Sequence, residues 1–345
     1  MTLSQLKERI AGGNTSGAYF FFGEEEYTKD HYRSQICRPV DDSAFAEMNH
    51  VVFDMTSATL PEVAEACDAL PFMAERRLVE LRSLLPAGLN ETDAGTLTSI
   101  VSGIHEQCTL LVICRADECD PSLPEGKRTK QYLSALFSAF EQSGGCVRFD
   151  RAKPAELVTW LLRHFSARNV KVTGDAVRLM IDMCGTDMYV LNSEVQKLCA
   201  VLDQVSEEDV RKICCANDSF AVYDYSRMIL ARDFEGADKA LDSLLASGIQ
   251  PPQILATLTK RYAELSAVRA ALDSKTPYSR IAANEKMAEW AVRRCAGELS
   301  GLSRRRLSFM LRELQYADSK MKSSSEDKVL VLKVFAARAA AYDGE

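Results

Sequence analysis

Apolar positions in the first 150 residues follow two alternating rhythms. Short unbroken runs, "AYFFF" (18–22) and "TLLVIC" (109–114), have the pattern of strands buried on both faces. "NHVVFD" (49–54), "RRLVELR" (76–82) and "GGCVRFD" (144–150) predict three more strands. Helical spacings lie between them. "EEEYTKDHYRSQI" (24–36) is one, and "TLPEVAEACDAL" (59–70) is another, with a threonine cap and a proline in its first turn. Five strands separated by helices predict an α/β domain whose mostly parallel sheet carries helices on both faces.

From about residue 153 the strand signals stop. "KPAELVTWLLRHFSARN", "TGDAVRLMIDMCG" and "DMYVLNSEVQKLCAVL" each place apolar residues at i, i+3, i+4 and i+7, which predicts three helices. "VSEEDVRKICC" (205–215) adds a short turn capped by Ser206 ahead of Glu208 and Asp209. Six further helical stretches follow from about 217, with a sharp corner at Gly248, Pro251 and Pro252. The pattern therefore predicts an α/β domain over 1–150, a small three-helix domain over 151–216 and an all-α bundle over 217–345.

Composition changes this picture little. The chain has 345 residues, 47% hydrophobic and 26% charged, and no apolar run long enough to span a membrane. Its start, "MTLSQLKERI", is amphipathic and unlike a signal peptide, so a cytoplasmic protein is expected. Charge is more informative. The net value is −7, yet residues 1–150 hold 13 Lys and Arg against 23 Asp and Glu. The remainder holds 29 against 26, so any contact with nucleic-acid phosphates is expected from the back half. Eleven cysteines occur without a single C-x-x-C. His105, Cys108, Cys114 and Cys119 can be grouped into a metal set on paper. Cys108 and Cys114 share a strand face but lie too far apart along it for one ion. Buried free thiols are the expected state, with no metal and no cofactor.

Candidate chemistry fails at each place where it was sought. A phosphate loop needs several glycines and a Lys followed by Ser or Thr. "YFFFGEEEYTK" (19–29) has one glycine, the reversed order Thr28-Lys29, and three glutamates. Glu24, Glu25 and Glu26 suit a helix N-terminus and repel phosphate. Asp117-Glu118 lies past a strand end, where a loop is expected. His31, His50, His105 and His164 share no motif. No catalytic site emerges.

Two stretches stay unexplained by structure alone. In "DALPFMAERRLVEL" the helical register supplies Leu60, Val63, Ala64, Cys67 and Leu70 as a core face, and Pro71 ends the helix. Phe72 and Met73 are left in the connection. Either they tuck under their own domain or they form an exposed apolar plug for a partner's pocket. In "SRRRL" (303–307), Arg304, Arg305 and Arg306 oppose the dipole of the helix they open. They are either a solvated surface or a contact for DNA phosphate or an acidic partner.

With these residues in view, the chain resembles a known family, the delta subunit of the bacterial DNA polymerase III clamp loader. The resemblance spans nearly the whole chain. It rests on "YFFFGEEEYTKDHY", "LPFMAERRLVELR", "LLVICRAD", "GGCVRFDRAKPAELVTWL", "MCGTDMYVLNSEVQKL" and "LLASGIQPPQILATLTKRYAEL", in that order. It implies an AAA+ type α/β domain without a phosphate loop, a three-helix lid and a C-terminal helical collar that oligomerises. It also implies a task without catalysis: binding and opening the ring-shaped beta sliding clamp. That task is performed beside gamma/tau motor subunits and a delta-prime subunit, on primed DNA. The family's clamp-binding pair corresponds here to Phe72 and Met73, with Leu70 and Pro71 shaping the turn and Arg76 as a polar contact beside it. This favours the plug reading. Neither the "SRC" tripeptide nor the four-cysteine module typical of delta-prime is present. A degenerate AAA+ ATPase and a DNA-binding helical protein remain as alternatives.

Overall fold

A computed structural model describes residues 1–118, 131–285 and 287–342. The chain divides into two compact units, Met1–Ala152 and Lys153–Glu345.

The first unit contains α1 (Leu3–Ala11), β1 (Gly17–Phe22), α2 (Glu26–Asp41), α3 (Ala46–Asn49), β2 (His50–Asp54) and α4 (Leu60–Asp68). It continues with β3 (Arg77–Arg82), α5 (Glu91–Gly103), β4 (Cys108–Ile113), α6 (Gln131–Ser143) and β5 (Gly145–Arg148). All five predicted strands form, and they pair in parallel in the order β2-β3-β4-β1-β5. The strand β1 explains the layering. Its residues alternate between faces, so Ala18, Phe20 and Phe22 enter one core while Tyr19 and Phe21 enter another. The first core is closed by α4, α5 and α6, through residues such as Val63, Leu97 and Phe140. The second is closed by α1 and α2, through Leu6, Ile36, Cys37 and Val40. Burying each phenylalanine contributes about 1.5–3 kcal/mol, which is why an unbroken apolar run settles at the sheet's centre.

Several boundaries differ from expectation. The helix α2 starts at Glu26, with Glu25 as its N-cap, and runs to Asp41. The helix α4 ends at Asp68, because Ala69 already has an extended backbone (φ −68°, ψ 132°). Leu70 therefore leaves the predicted core face, and Ala66 is buried in that face instead.

The second unit is helical except for one short ribbon. It contains α7 (Pro154–Ser166), β6 (Lys171–Val172), α8 (Gly174–Cys184), α9 (Met188–Val201), β7 (Gln204–Val205) and α10 (Glu207–Ile213). The expectation that strands end at 153 is corrected by β6 and β7, which pair in parallel. Two residues per strand are too few to leave an alternating pattern. As expected, Ser206 caps α10, in a capping box with Asp209. Seven helices follow: α11 (Asp218–Leu230), α12 (Phe234–Ala246), α13 (Pro251–Asp273), α14 (Tyr278–Asn284), α15 (Glu289–Glu298), α16 (Arg304–Ser323) and α17 (Lys328–Ala341). The short α14 was not foreseen. Residues from Val222 to Ala339 share one apolar core, centred on α13 through Leu258, Tyr262 and Leu265.

Candidate functional site

The junction after β1 is closely packed. Gly23 has φ +113°, and a Cβ there would run into the backbone of Phe149. The amide of Glu25 donates to the Phe149 carbonyl at 3.0 Å. Lys29 is buried, and its Nζ donates to Glu26 Oε1 at 2.8 Å and to the Cys114 carbonyl at 2.7 Å. Glu26 Oε1 also accepts from the Ala116 amide at 2.8 Å. A buried ammonium is tolerable only when paired in this way. Lys29 is thus committed to holding α2 against the end of β4. Asp117 and Glu118 lie in the turn after β4, where Arg115 bonds both.

The connection from α4 to β3 is the opposite case. Leu70 precedes proline, which disfavours helical geometry there. Leu70, Phe72 and Met73 are 71%, 47% and 76% exposed, and Pro71 is half-buried. Met73 has φ +47°, a left-handed conformation that costs a residue with a Cβ about 1–2 kcal/mol. Strain of this kind persists where neighbouring contacts impose it.

Those contacts come from α3. The Phe72 amide donates to Asn49 Oδ1 at 2.7 Å, and Asn49 Nδ2 donates to the Phe72 carbonyl at 2.9 Å. The same Nδ2 donates to the Phe45 carbonyl at 3.0 Å. The rings of Phe45 and Phe72 meet edge to face, with centroids 5.4 Å apart. Phe45 and Met48 are also exposed, so the apolar surface extends over both segments. Sequence reasoning missed Phe45, Met48 and Asn49. The only available signal was an apolar pair three residues apart before a polar residue at a strand start.

Arg76 follows the exposed pair in the chain and is bonded to the loop before β1. Its guanidinium donates to Thr15 Oγ1 at 3.2 Å and to the Gly13 carbonyl at 3.3 Å. Arg77 donates to the carbonyls of Ala66 at 2.8 Å and Met48 at 2.9 Å, which braces α4 against α3.

Beneath α2, the buried Glu80 receives Arg33 Nε at 2.9 Å and Arg82 Nε at 2.5 Å, with His50 Nε2 at 3.5 Å. Burial raises the Glu80 carboxyl, but the bonds from His50, Arg33 and Arg82 outweigh it and leave the group at about 2. The neighbouring Glu80 carboxylate raises His50; burial opposes this, and Asp41, 2.6 Å from Nδ1, adds to the rise. Cys37, His50 and Glu80 lie close enough together to ligate a metal. The two arginines already supply the positive charge there. Cys184, Glu194 and Cys214 form a second such cluster, with Lys197 Nζ 2.6 Å from Glu194. Neither His105, Cys108 nor Cys114 joins a cluster among the described residues, and Cys119 lies outside them. The ten described cysteines are free thiols, eight of them buried.

The basic run opens α16 with its side chains diverging. Arg304 Nε pairs with Asp273 at 2.5 Å. Arg306 donates to the Leu230 carbonyl at 3.1 Å. Arg305 is exposed. Ser303 supplies the cap by accepting the Arg306 amide at 3.1 Å.

Comparison with known proteins agrees with this architecture. The family model described as "DNA polymerase III, delta subunit" matches residues 19–136. The model "DNA polymerase III delta subunit, C-terminal domain" matches 219–339, so the two together cover most of the chain. The chain belongs to the DNA polymerase III delta subunit family. Among curated members, the subunit delta of Bacillus subtilis is 20% identical over 94% of this chain and 92% of its own length. A probable subunit delta of Aquifex aeolicus is 28% identical over 39% of this chain and 40% of its own. The solved structure of the Bacillus subtilis DNA clamp loader delta protein matches 98% of this chain and 99% of its own, with a TM-score of 0.56 at 17% identity. At that identity the match speaks for the fold. This delta-family chain is a component of the DNA replication machinery, and it has the parallel sheet and helical remainder expected of it.

Proposed function

We propose that this chain binds the ring-shaped beta sliding clamp and holds one of its interfaces open, without nucleotide of its own. The exposure of Leu70, Phe72 and Met73 at the end of α4 is the observation that carries this reading. Large apolar side chains projected together into solvent suit insertion into an apolar pocket. Leu70 and Pro71 shape the projection. Arg76 anchors its base in the free chain and is available for rearrangement toward a partner.

In this reading the chain has no catalytic site and serves the polymerase III holoenzyme, a nucleotidyltransferase, as a cytoplasmic partner of gamma/tau motor subunits and delta-prime. Residues 151–216 act as the lid and 217–345 as the collar. Primed DNA is met within the complex, with Arg304, Arg305 and Arg306 as the candidate phosphate contacts. The filled Gly23–Lys29 junction counts against a degenerate ATPase. The acidic first 150 residues count against a strong independent DNA binder.

The test is calorimetry of the purified full chain against its cognate sliding clamp, without nucleotide. Substituting Phe72→Ala with Met73→Ala is expected to remove about 2–4 kcal/mol of binding free energy while circular dichroism is retained. Unchanged affinity in the double variant overturns the assignment.

A further inference from the structure

We propose that Asn49 is a positioning residue that presets Phe72 and Met73 for their partner, and that Phe45 forms part of the partner-facing surface. This rests on the clamp-binding reading of Leu70–Met73 and names further residues of that same surface. Asn49 is completely buried at the last position of α3. Its carboxamide oxygen faces the Phe72 amide, and its nitrogen faces the carbonyl oxygens of Phe72 and Phe45. The three partners fix the orientation of the amide, since a flipped group would set oxygen against two oxygens. An aspartate lacks both donors and would place a carboxylate against those carbonyls. An alanine removes the partner of the Phe72 amide and carbonyl, while the Phe45 carbonyl keeps the backbone amides of Met48 and Asn49.

The consequence is mechanical. Phe72 is held at both its N–H and its C=O, and the chain leaves it through the left-handed conformation of Met73. The Phe45 ring supports Phe72 from the side. A connection of this length would otherwise sample many conformations, and a partner would have to select the productive one. Apparent affinity falls by the fraction of time the competent conformation is absent. Asn49 removes that loss before the partner arrives. Phe45 and Met48 then present apolar surface from a segment more than twenty residues earlier in the chain.

The test uses the full chain and the purified sliding clamp on a biosensor, with hydrogen exchange on the free chain. In the wild-type chain the Phe72 amide should exchange slowly, although its side chain is half exposed. Asn49→Ala should speed that exchange, preserve protection across β3, and weaken clamp binding about tenfold, mainly through slower association. Phe72→Ala with Met73→Ala should instead act mainly on dissociation. Phe45→Ala should weaken binding a few-fold with the fold intact.

Wild-type binding by Asn49→Ala, while the Phe72/Met73 double variant fails to bind, overturns the positioning role and leaves the clamp-binding reading standing. Wild-type binding by the double variant overturns both. Should Asn49→Ala fail to fold, the wild-type exchange and the Phe45→Ala affinity decide. Fast exchange at Phe72, or undiminished binding by Phe45→Ala, counts against the proposal.

Discussion

The β1–α2 junction and the α4–β3 connection leave the same sheet and end in opposite states. At Gly23–Lys29 the polar groups turn inward: Lys29 is buried against Glu26 and the Cys114 carbonyl, and the Gly23 backbone packs on Phe149. At Leu70–Met73 the apolar groups turn outward, and the backbone alone is satisfied, by Asn49. The first region is held by internal bonding. The second keeps exposed apolar area that folding leaves unburied, as a surface for a partner does. The contrast shows that connections leaving one sheet can serve the fold or face solvent independently of the sheet itself.

The comparison predicts which changes strike the fold and which strike only the surface. The largest effect on stability is expected from Gly23→Ala. It combines a left-handed backbone with a collision at Phe149, and should cost about 2–5 kcal/mol in urea denaturation. A near-neutral result would show that the junction is less closely packed than its geometry implies.

Acid comes next. The Glu80 carboxyl lies at about 2 in the folded chain, below its value of about 4.3 when unfolded. Its contribution is therefore present above about pH 4.3 and lost as pH falls toward 2, amounting to about 3 kcal/mol. Glu80→Gln should flatten acid unfolding in that window. His50 acts with the opposite sign: its raised pKa stabilises the fold at pH values below about 6.5, and that contribution fades as pH rises through the folded value.

Lys29→Met should be milder, about 1–3 kcal/mol, because it removes the bond to the Cys114 carbonyl while Glu26 remains partly solvated. Calorimetry should detect no gain of ATP binding in that variant.

The smallest stability effect is expected where the binding effect is greatest. Phe72→Ala with Met73→Ala should move stability by no more than about 0.5 kcal/mol, as read from the same urea titrations. A large loss would place these side chains in the fold rather than on its surface.

Much of the fold was legible in the linear pattern. The strands β1 and β4 were visible because a strand covered on both faces must be continuously apolar, and "AYFFF" and "TLLVIC" are. The two-residue strands β6 and β7 were not, because pairing between distant segments creates them rather than a local pattern. Phe72 and Met73 could be singled out because Pro71 ends a helix in front of them. Leu70 was misplaced because its register continues the core face of α4 beyond the helix's actual end at Asp68. The contacts of Arg76 with Gly13 and Thr15 join residues some sixty positions apart, and no spacing announces them.

The sequence by itself determined the parallel α/β unit, the helical remainder and the absence of a phosphate-loop motif at 19–29. Each follows from local composition: apolar run length, helical periodicity, and glutamates where phosphate would sit. Tertiary structure decided what the exposed pair rests on. Parallel pairing of β2 with β3, in the register that sets His50 beside Leu78, brings the residue before one strand next to the loop before the other. Only that pairing puts Asn49 against Phe72, because hydrogen bonds between segments so far apart depend on strand order and register, and no short stretch of sequence encodes either.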